Sequence, residues 1–428
     1  MIVSSRGVGY YRKLRNPTNT SIFSVLGGFS RKSSLLSSRN KAHQNMKRKI
    51  FAFLLVLIPL SVSSSNADFI LTPLNTFGNG DGWLAPAEQV SSTASVLGTV
   101  GGQRGMTYHG PLNEIYVVDR TGGPNVIRVL DGGTGATLRT LLNTSTPTPG
   151  LIAGGTFALN MISVGSDGAI YAANLAGVGT PFRVYRWADS LATTEPTLAF
   201  SANLTGANQV TGSRAGDSFA VFGGGATARL AVSGGGSIAA TGVGLLDTTD
   251  GGVTFTQTTS VLTGATNGSF RLGLDFIDAN NVIGKQTSAD AFIAPLSATA
   301  AASNFALTSL GEAPLAYFGP NSLLATIDVN SSLVRLYNGA TATGLGAFPV
   351  VTGNATFGAL AGNGNGVGDL SFGIGPDGLR LYAMSTNQGL QAFSVTAVPE
   401  PSSMALAALG VVGIFARRRQ LANRKQVS

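Results

Sequence analysis

The chain has 428 residues, of which 11% are charged and 58 are glycine, with no cysteine and two histidines. That composition excludes disulfide staples, thiolate metal sites and a cysteine nucleophile, and it favours many short strands joined by tight turns over helical bundles. The formal charge of +8 sits at the two ends: eleven of 28 Lys/Arg lie in residues 1–49 and five in 417–425, leaving twelve in between against all 20 Asp/Glu, so the body is acidic and a nucleic-acid partner is excluded.

Residues 1–45 are Ser- and Arg-rich with little apolar periodicity, and they read as a leader or an upstream start outside the fold. Residues 46–67, MKRKIFAFLLVLIPLSVSSSNA, have a basic start, an apolar core over 50–60 and a small-residue exit. This is the layout of a secretory signal peptide, and its apolar part is too short for a permanent anchor. Cleavage is expected between Ala67 and Asp68, which makes Sec-type export machinery and a signal peptidase the first partners.

Residues 68–397 carry a repeat. A short apolar strand, a Gly/Pro/Asn/Asp turn and a second strand recur in MTYHGPLNEIYVVD from Met106, MISVGSDGAIYAAN from Met161, FAVFGGGATARLAVS from Phe219, LDFIDANNVIGKQT from Leu274, LAYFGPNSLLATID from Leu315 and FGIGPDGLRLYAMS from Phe372. The turn positions Gly110, Gly165, Gly223, Asp278, Gly319 and Gly375 are 55, 58, 55, 41 and 56 residues apart. Such turns need a positive or preset φ, which these residue types supply. Two further strand-like runs follow most copies, for example NVIRVLDG and ATLRTLL after the first and LVRLYNG and GLGAFPV after the fifth.

Four antiparallel strands at this period predict an all-β fold, a β-propeller of six blades with seven as the alternative; a sandwich or solenoid is the competing architecture. The last copy runs straight into Val398-Pro399 and lacks a fourth strand, while FILTPLNTF, residues 69–77, is an orphan strand at the other end. Pairing the two would close the ring and remove an exposed edge. The innermost strands are expected to be the most buried.

Chemistry is sparse. Without the leader His109 is the sole histidine, at an inner-strand end where a hydrogen-bonded structural role is expected, and no GxSxG, HExxH or phosphate loop occurs. No cofactor is predicted; calcium is the one ion that the oxygen-rich stretches GNGDGW at 78–83, DVNSS at 328–332 and GNGNGVGD at 362–369 would suit, and none has a defined calcium-loop spacing. Asp119, Asp275 and Asp328 are the acids that a propeller channel could bring together for carbohydrate chemistry. Links from second to third strands share one face of a propeller, and there Asp119, Arg120, Asn174, Asp328, Asn330 and Asn387 form the candidate ligand face, suited to a sugar or peptide.

The chain finishes with Pro399-Glu400-Pro401, an apolar run over 404–416, and Arg417, Arg418 and Arg419. The prolines keep the preceding segment extended, and the run with its arginines fits a separate C-terminal membrane helix within 398–420, followed by a cytoplasmic tail, 421–428. This tripartite tail resembles the PEP-CTERM sorting signal. The resemblance implies a membrane-embedded exosortase as partner, transient anchoring in the inner membrane, and delivery to the cell surface or matrix of a bacterium that makes exopolysaccharide and biofilm. It implies no activity for the body. The sequence therefore predicts a noncatalytic binding or structural module, exopolysaccharide being a candidate ligand, with a carbohydrate-active propeller enzyme as the alternative.

Overall fold

The structure is a computed structural model describing residues 68–398, apart from 92, 147, 178, 205–213, 236–241, 259–267, 288–290, 297–302, 306–311, 330 and 339–366, together with 410–419. Its body is a six-bladed β-propeller. Inner strands Gln103–His109, Phe157–Val164, Ser218–Phe222, Gly273–Asp278, Glu312–Phe318 and Gly368–Gly375 open blades 1 to 6, and each packs on the next around a closed circle. Within each blade the strands follow in chain order from the axis outward, except for the outermost strand of blade 6, and all pair antiparallel. Blade 5 has three strands among the described residues, and its expected fourth, GLGAFPV, lies outside them.

The ring closes as the gap in the last repeat implied. Asp68–Pro73 pairs antiparallel with the final strand Gly389–Val398, from Asp68 opposite Val398 to Pro73 opposite Phe393. Residues 74–82 then loop inward, burying Phe77 completely and Leu74 nearly so, and Trp83–Leu84 returns to the same edge opposite Gln391 and Leu390.

Six of the apolar clusters each span two neighbouring blades, one cluster per seam. Period-2 alternation explains how one strand serves two seams: on Ile170–Leu175, Tyr171 and Ala173 face blade 3 while Ile170 and Ala172 face blade 1. The second strands are therefore buried on both faces, and Glu114–Asp119 and Ile170–Leu175 are buried at all positions. This corrects the expectation for the inner strands, which show partly exposed positions in five blades. An inner strand is a sheet edge that borders the channel, whereas a second strand has a neighbour on every side.

Near the axis the strands converge, and small residues admit the approach. A Cβ on Gly105 would fall 2.6 Å from Ile162 N, and one on Gly273 would fall 2.1 Å from Ala313 O. The hairpin turns of blades 1 and 5 are closed by left-handed residues, Asn113 with φ 53° and Ser322 with φ 52°.

Candidate functional site

The inner strands of all six blades line an axial channel of about 180 Å³. Among the described residues its walls are apolar and hydroxyl-bearing except for two carboxylates, Asp275 of blade 4 and Asp369 of blade 6, with no arginine or lysine. Each carboxylate accepts two backbone hydrogen bonds. Asp275 takes them from Phe276 N (2.8 Å) and Tyr317 N (2.7 Å), and Asp369 from Leu370 N (3.0 Å) and Met106 N (2.9 Å). In both cases one bond reaches the inner strand of the next blade, whose edge would otherwise leave that N–H unsatisfied. Burial pushes Asp275 up to about 7 against those bonds; burial raises Asp369 well above the carboxylate range too, with the charge of Asp275 adding to it.

The expected trio of channel acids is thus not assembled. Asp275 lies in the channel, but Asp119 and Asp328 end second strands, which stand one position back from the axis. The partner of Asp275 is Asp369, a residue that the sequence grouped with calcium-loop oxygens. Among the described residues no group of three or more His, Asp or Glu is placed to hold a metal. In the 78–83 stretch, Asp81 accepts from Trp83 N (2.8 Å) and Asn79 donates to Glu88 Oε1 (2.6 Å), which makes it a bonded turn. Residues 330 and 362–366 of the other two stretches lie outside the described residues.

The proposed ligand face divides by role. Buried Asp119 is committed to Arg128 (3.2 Å), Gln103 (3.0 Å) and the Thr121 hydroxyl (2.6 Å). Asn174 is fully buried and ties its own link together, accepting from Arg183 N and donating to Pro181 O. Asn387, with φ 79°, accepts from Gly101 N and so joins blade 6 to the segment entering blade 1. Asp328 closes the second strand of blade 5 opposite Glu312, and Asn330 lies outside the described residues. Arg120 differs from all of these. It donates to Asn160 Oδ1 (2.9 Å), Gly101 O (2.9 Å) and Gly102 O (3.3 Å), its guanidinium lies 3.7 Å over the Phe157 ring, and no carboxylate pairs with it among the described residues.

His109 sits at the opposite end of its strand, packed against Gly168 of blade 2 and 6.5 Å from the Tyr116 ring. Burial lowers its pKa, against Glu114 and Asp167. The hydrogen bond expected for it is not made at Nδ1, which is buried without a partner among the described residues.

At the C-terminus, residues 410–419 form a helix that carries Arg417, Arg418 and Arg419, with Val411, Val412, Ile414 and Phe415 all exposed. Ten residues rise about 15 Å, half the thickness of a bilayer core. Among the described residues no helix is long and apolar enough to cross a membrane, so the expected membrane helix is not found there. Pro399, Glu400, Pro401 and Ala67 lie outside the described residues, whereas Asp68 begins the closing strand.

Comparison decides what the tail is. Residues 397–420 match the PEP-CTERM protein-sorting motif. The PEP-CTERM segment thus begins inside the final strand of the ring, at Ala397. No curated protein matches the chain. Among solved structures, the crystal structure of the WD40 beta propeller domain of Doa1 is similar at 12% identity and a TM-score of 0.40, covering 70% of this chain and 80% of that one.

Proposed function

We propose that this is an exported, exosortase-sorted protein of the cell envelope or extracellular matrix, whose propeller is a noncatalytic binding or structural module. The observation that carries the reading is the sorting motif fused to the last strand of a closed ring. The exposed apolar side chains of residues 411–415 support a membrane or a membrane enzyme as their next environment, since Val, Ile and Phe clustered on a surface call for cover. Loops on a rigid ring support binding. The test has two parts. Glu400→Ala, and alanines at Arg417, Arg418 and Arg419, are expected to block processing or surface delivery in the native host; normal sorting of both variants would end the sorting half. A glycan array probed with the full-length protein, beside a hydrolase panel, is expected to return binding without turnover.

One observation favours the enzyme reading: Asp275 and Asp369 are a carboxylate pair in a channel, with pKa values raised as a general acid requires. Against it, each is already held by two backbone N–H groups and joins two blades. Turnover of any glycan that Asp275→Asn and Asp369→Asn both abolish would establish the enzyme.

A further inference from the structure

One layer of side chains lies above the channel. Arg104, Asn160 and Asp217 each precede by two positions the first channel-lining residue of their blade, namely Met106, Ile162 and Phe219; Arg271 precedes Leu274 by three. Arg120 reaches this layer through Asn160, and Asn160 passes the contact on by donating to Gly216 O (2.7 Å). Arg214, just before blade 3, grips Asp217 through two guanidinium nitrogens, and Arg271 Nε stands 3.4 Å from the same carboxylate. Arg104 of blade 1 feels the charges of Arg214 and Asp217 across blade 2, a proximity that only positions near the axis allow. Blades 4 to 6 fill the rest of the layer with Leu272, Ala313 and Val367, a small buried apolar cluster.

Among the described residues the charge balance of this crescent does not close. Three guanidinium groups, of Arg104, Arg214 and Arg271, share one carboxylate, Asp217, whose side chain is 4% exposed, and Arg120 adds a fourth positive charge beside Arg104 and Arg214. Asp119, on the same face, is spent on Arg128, Gln103 and Thr121. The Nε atoms of Arg104 and Arg271 are buried without a hydrogen-bond partner among the described residues. Burial, then Arg104 and Arg214, push Arg120 down to about 9, which still leaves it charged at neutral pH. Half-buried cations with unspent donors gain from an acceptor of opposite charge that completes them, and the planar guanidinium fork matches the oxygens of an oxyanion.

We propose that the arginine crescent at the channel mouth is a binding site for an oxyanion: a carboxylate, phosphate or sulfate group. This inference rests on the reading of the ring as a binding module and names the chemistry of its ligand. A carboxylate would come from an acidic sugar, a phosphate or sulfate from the free ion or from a substituted glycan. The Asp217 carboxylate marks the geometry that such a group would adopt between Arg214 and Arg271.

The test is calorimetric titration of the full-length protein in chloride buffer with sodium phosphate, sodium sulfate, glucuronate and trigalacturonate, with glucose and maltotriose as neutral counterparts. Saturable binding of the anions and none of the neutral sugars is expected. Arg104→Gln and Arg271→Gln should each weaken it about tenfold or more, as loss of a charge-assisted hydrogen bond does. Asp217→Asn should tighten it, because the internal competitor is gone. Arg120→Gln is avoided as the principal variant because Arg120 also holds Gly101 and Gly102; the thermal midpoints of all variants identify any that misfold. Preference for the sugar acids assigns the site to an acidic glycan; preference for phosphate or sulfate assigns it to that group, and glucose 6-phosphate and glucose 6-sulfate as further titrants tell the free ion from a substituted sugar by which binds tighter. Equal response to charged and neutral sugars, or anion binding unchanged in both arginine variants, overturns the site. Neutral-glycan binding that ignores these variants would remove the anion site and leave the binding module standing, whereas phosphate binding with no glycan binding at all would do the reverse.

Discussion

Where blade 4 meets blade 5, Asp275 accepts from Tyr317 N at 2.7 Å, and among the described residues a cluster of Ile283, Ala291, Ile293, Leu315, Leu324 and Tyr337 packs beside it. Where blade 6 meets blade 1, Asp369 makes the corresponding bond to Met106 N at 2.9 Å, and much is added to it. Ser371 Oγ accepts from Tyr108 N, Thr386 donates to Gln103 O, and buried Arg380 donates to Asn113 (2.8 Å) and Gly132 O (3.1 Å). The Tyr108 and Tyr382 rings lie 4.5 Å apart in the same seam, and Phe77 joins them from the residues beyond the closing strand. Blades 4 and 5 are held beside each other by a continuous chain. Blades 6 and 1 are the two ends of the ring, so contacts there replace what connectivity supplies elsewhere, and the polar ties fix which strand pairs with which.

The closing strand should be the place where this contrast breaks most sharply. Phe69→Asp with Leu71→Asp puts two charges on the face that packs against blades 5 and 6, and it should cost about 5 kcal/mol or more. Denaturant titration would read the loss, and size-exclusion chromatography would read association through the freed edge of Gly389–Val398. Next comes Arg380→Ala, which removes a buried charge-assisted donor from Asn113 and Gly132 O, leaving each to its tyrosine hydroxyl, Tyr108 and Tyr382, and should cost about 3 kcal/mol by the same titration. A loss under about 1 kcal/mol would mean that Arg380 is not among the ties that hold the seam.

The smallest effect concerns the device that both seams share. The folded-state pKa of Asp275, about 7, lies above its value in an unfolded chain, so folding takes up a proton between roughly pH 4 and pH 7. The stabilising contribution is therefore complete below about pH 4, falls as pH rises, and is gone above about pH 7. Asp369 is displaced in the same direction. Asp275→Asn keeps an oxygen for Tyr317 N but cannot ionise, so thermal midpoints should show the variant gaining on the parent from pH 4 to pH 8. The gain should be on the order of 2 kcal/mol, because the carboxyl group borders the open channel and part of its charge is relieved there. A constant difference across that range would show that the carboxylate does not titrate in the channel.

Much of this ring was legible in the sequence because its hairpins repeat with their turn chemistry, and because the missing strand at one end matched the orphan at the other. The blade count and the closure both follow from those two facts. Burial order did not follow, since EIYVVD and the inner strands are similarly apolar, and only the stacked arrangement reveals that the second strand has neighbours on every side. GNGNGVGD reads as turn material and so groups Asp369 with loop oxygens, although its last two residues start a strand. The arginine layer has a local signal: Arg104-Gly105, Arg214-Ala215-Gly216 and Arg271-Leu272-Gly273 all place an arginine one or two residues before a glycine that lies within two residues of the start of an inner strand. That phase becomes visible only when the copies are aligned from their beginnings as well as on their turns. Arg120 was found from topology, because a second-to-third link must lie on that face.

The register of the closing strand has a mechanical consequence. Asp68 and Val398 are direct partners, so the chain arrives at and departs from one corner of the disc. A pull on both ends in one direction would place no load on the clasp. A force that draws the two ends apart acts on the outermost pair alone and would open the buckle one rung at a time from Asp68 to Pro73, so the molecule tolerates being suspended far better than being stretched.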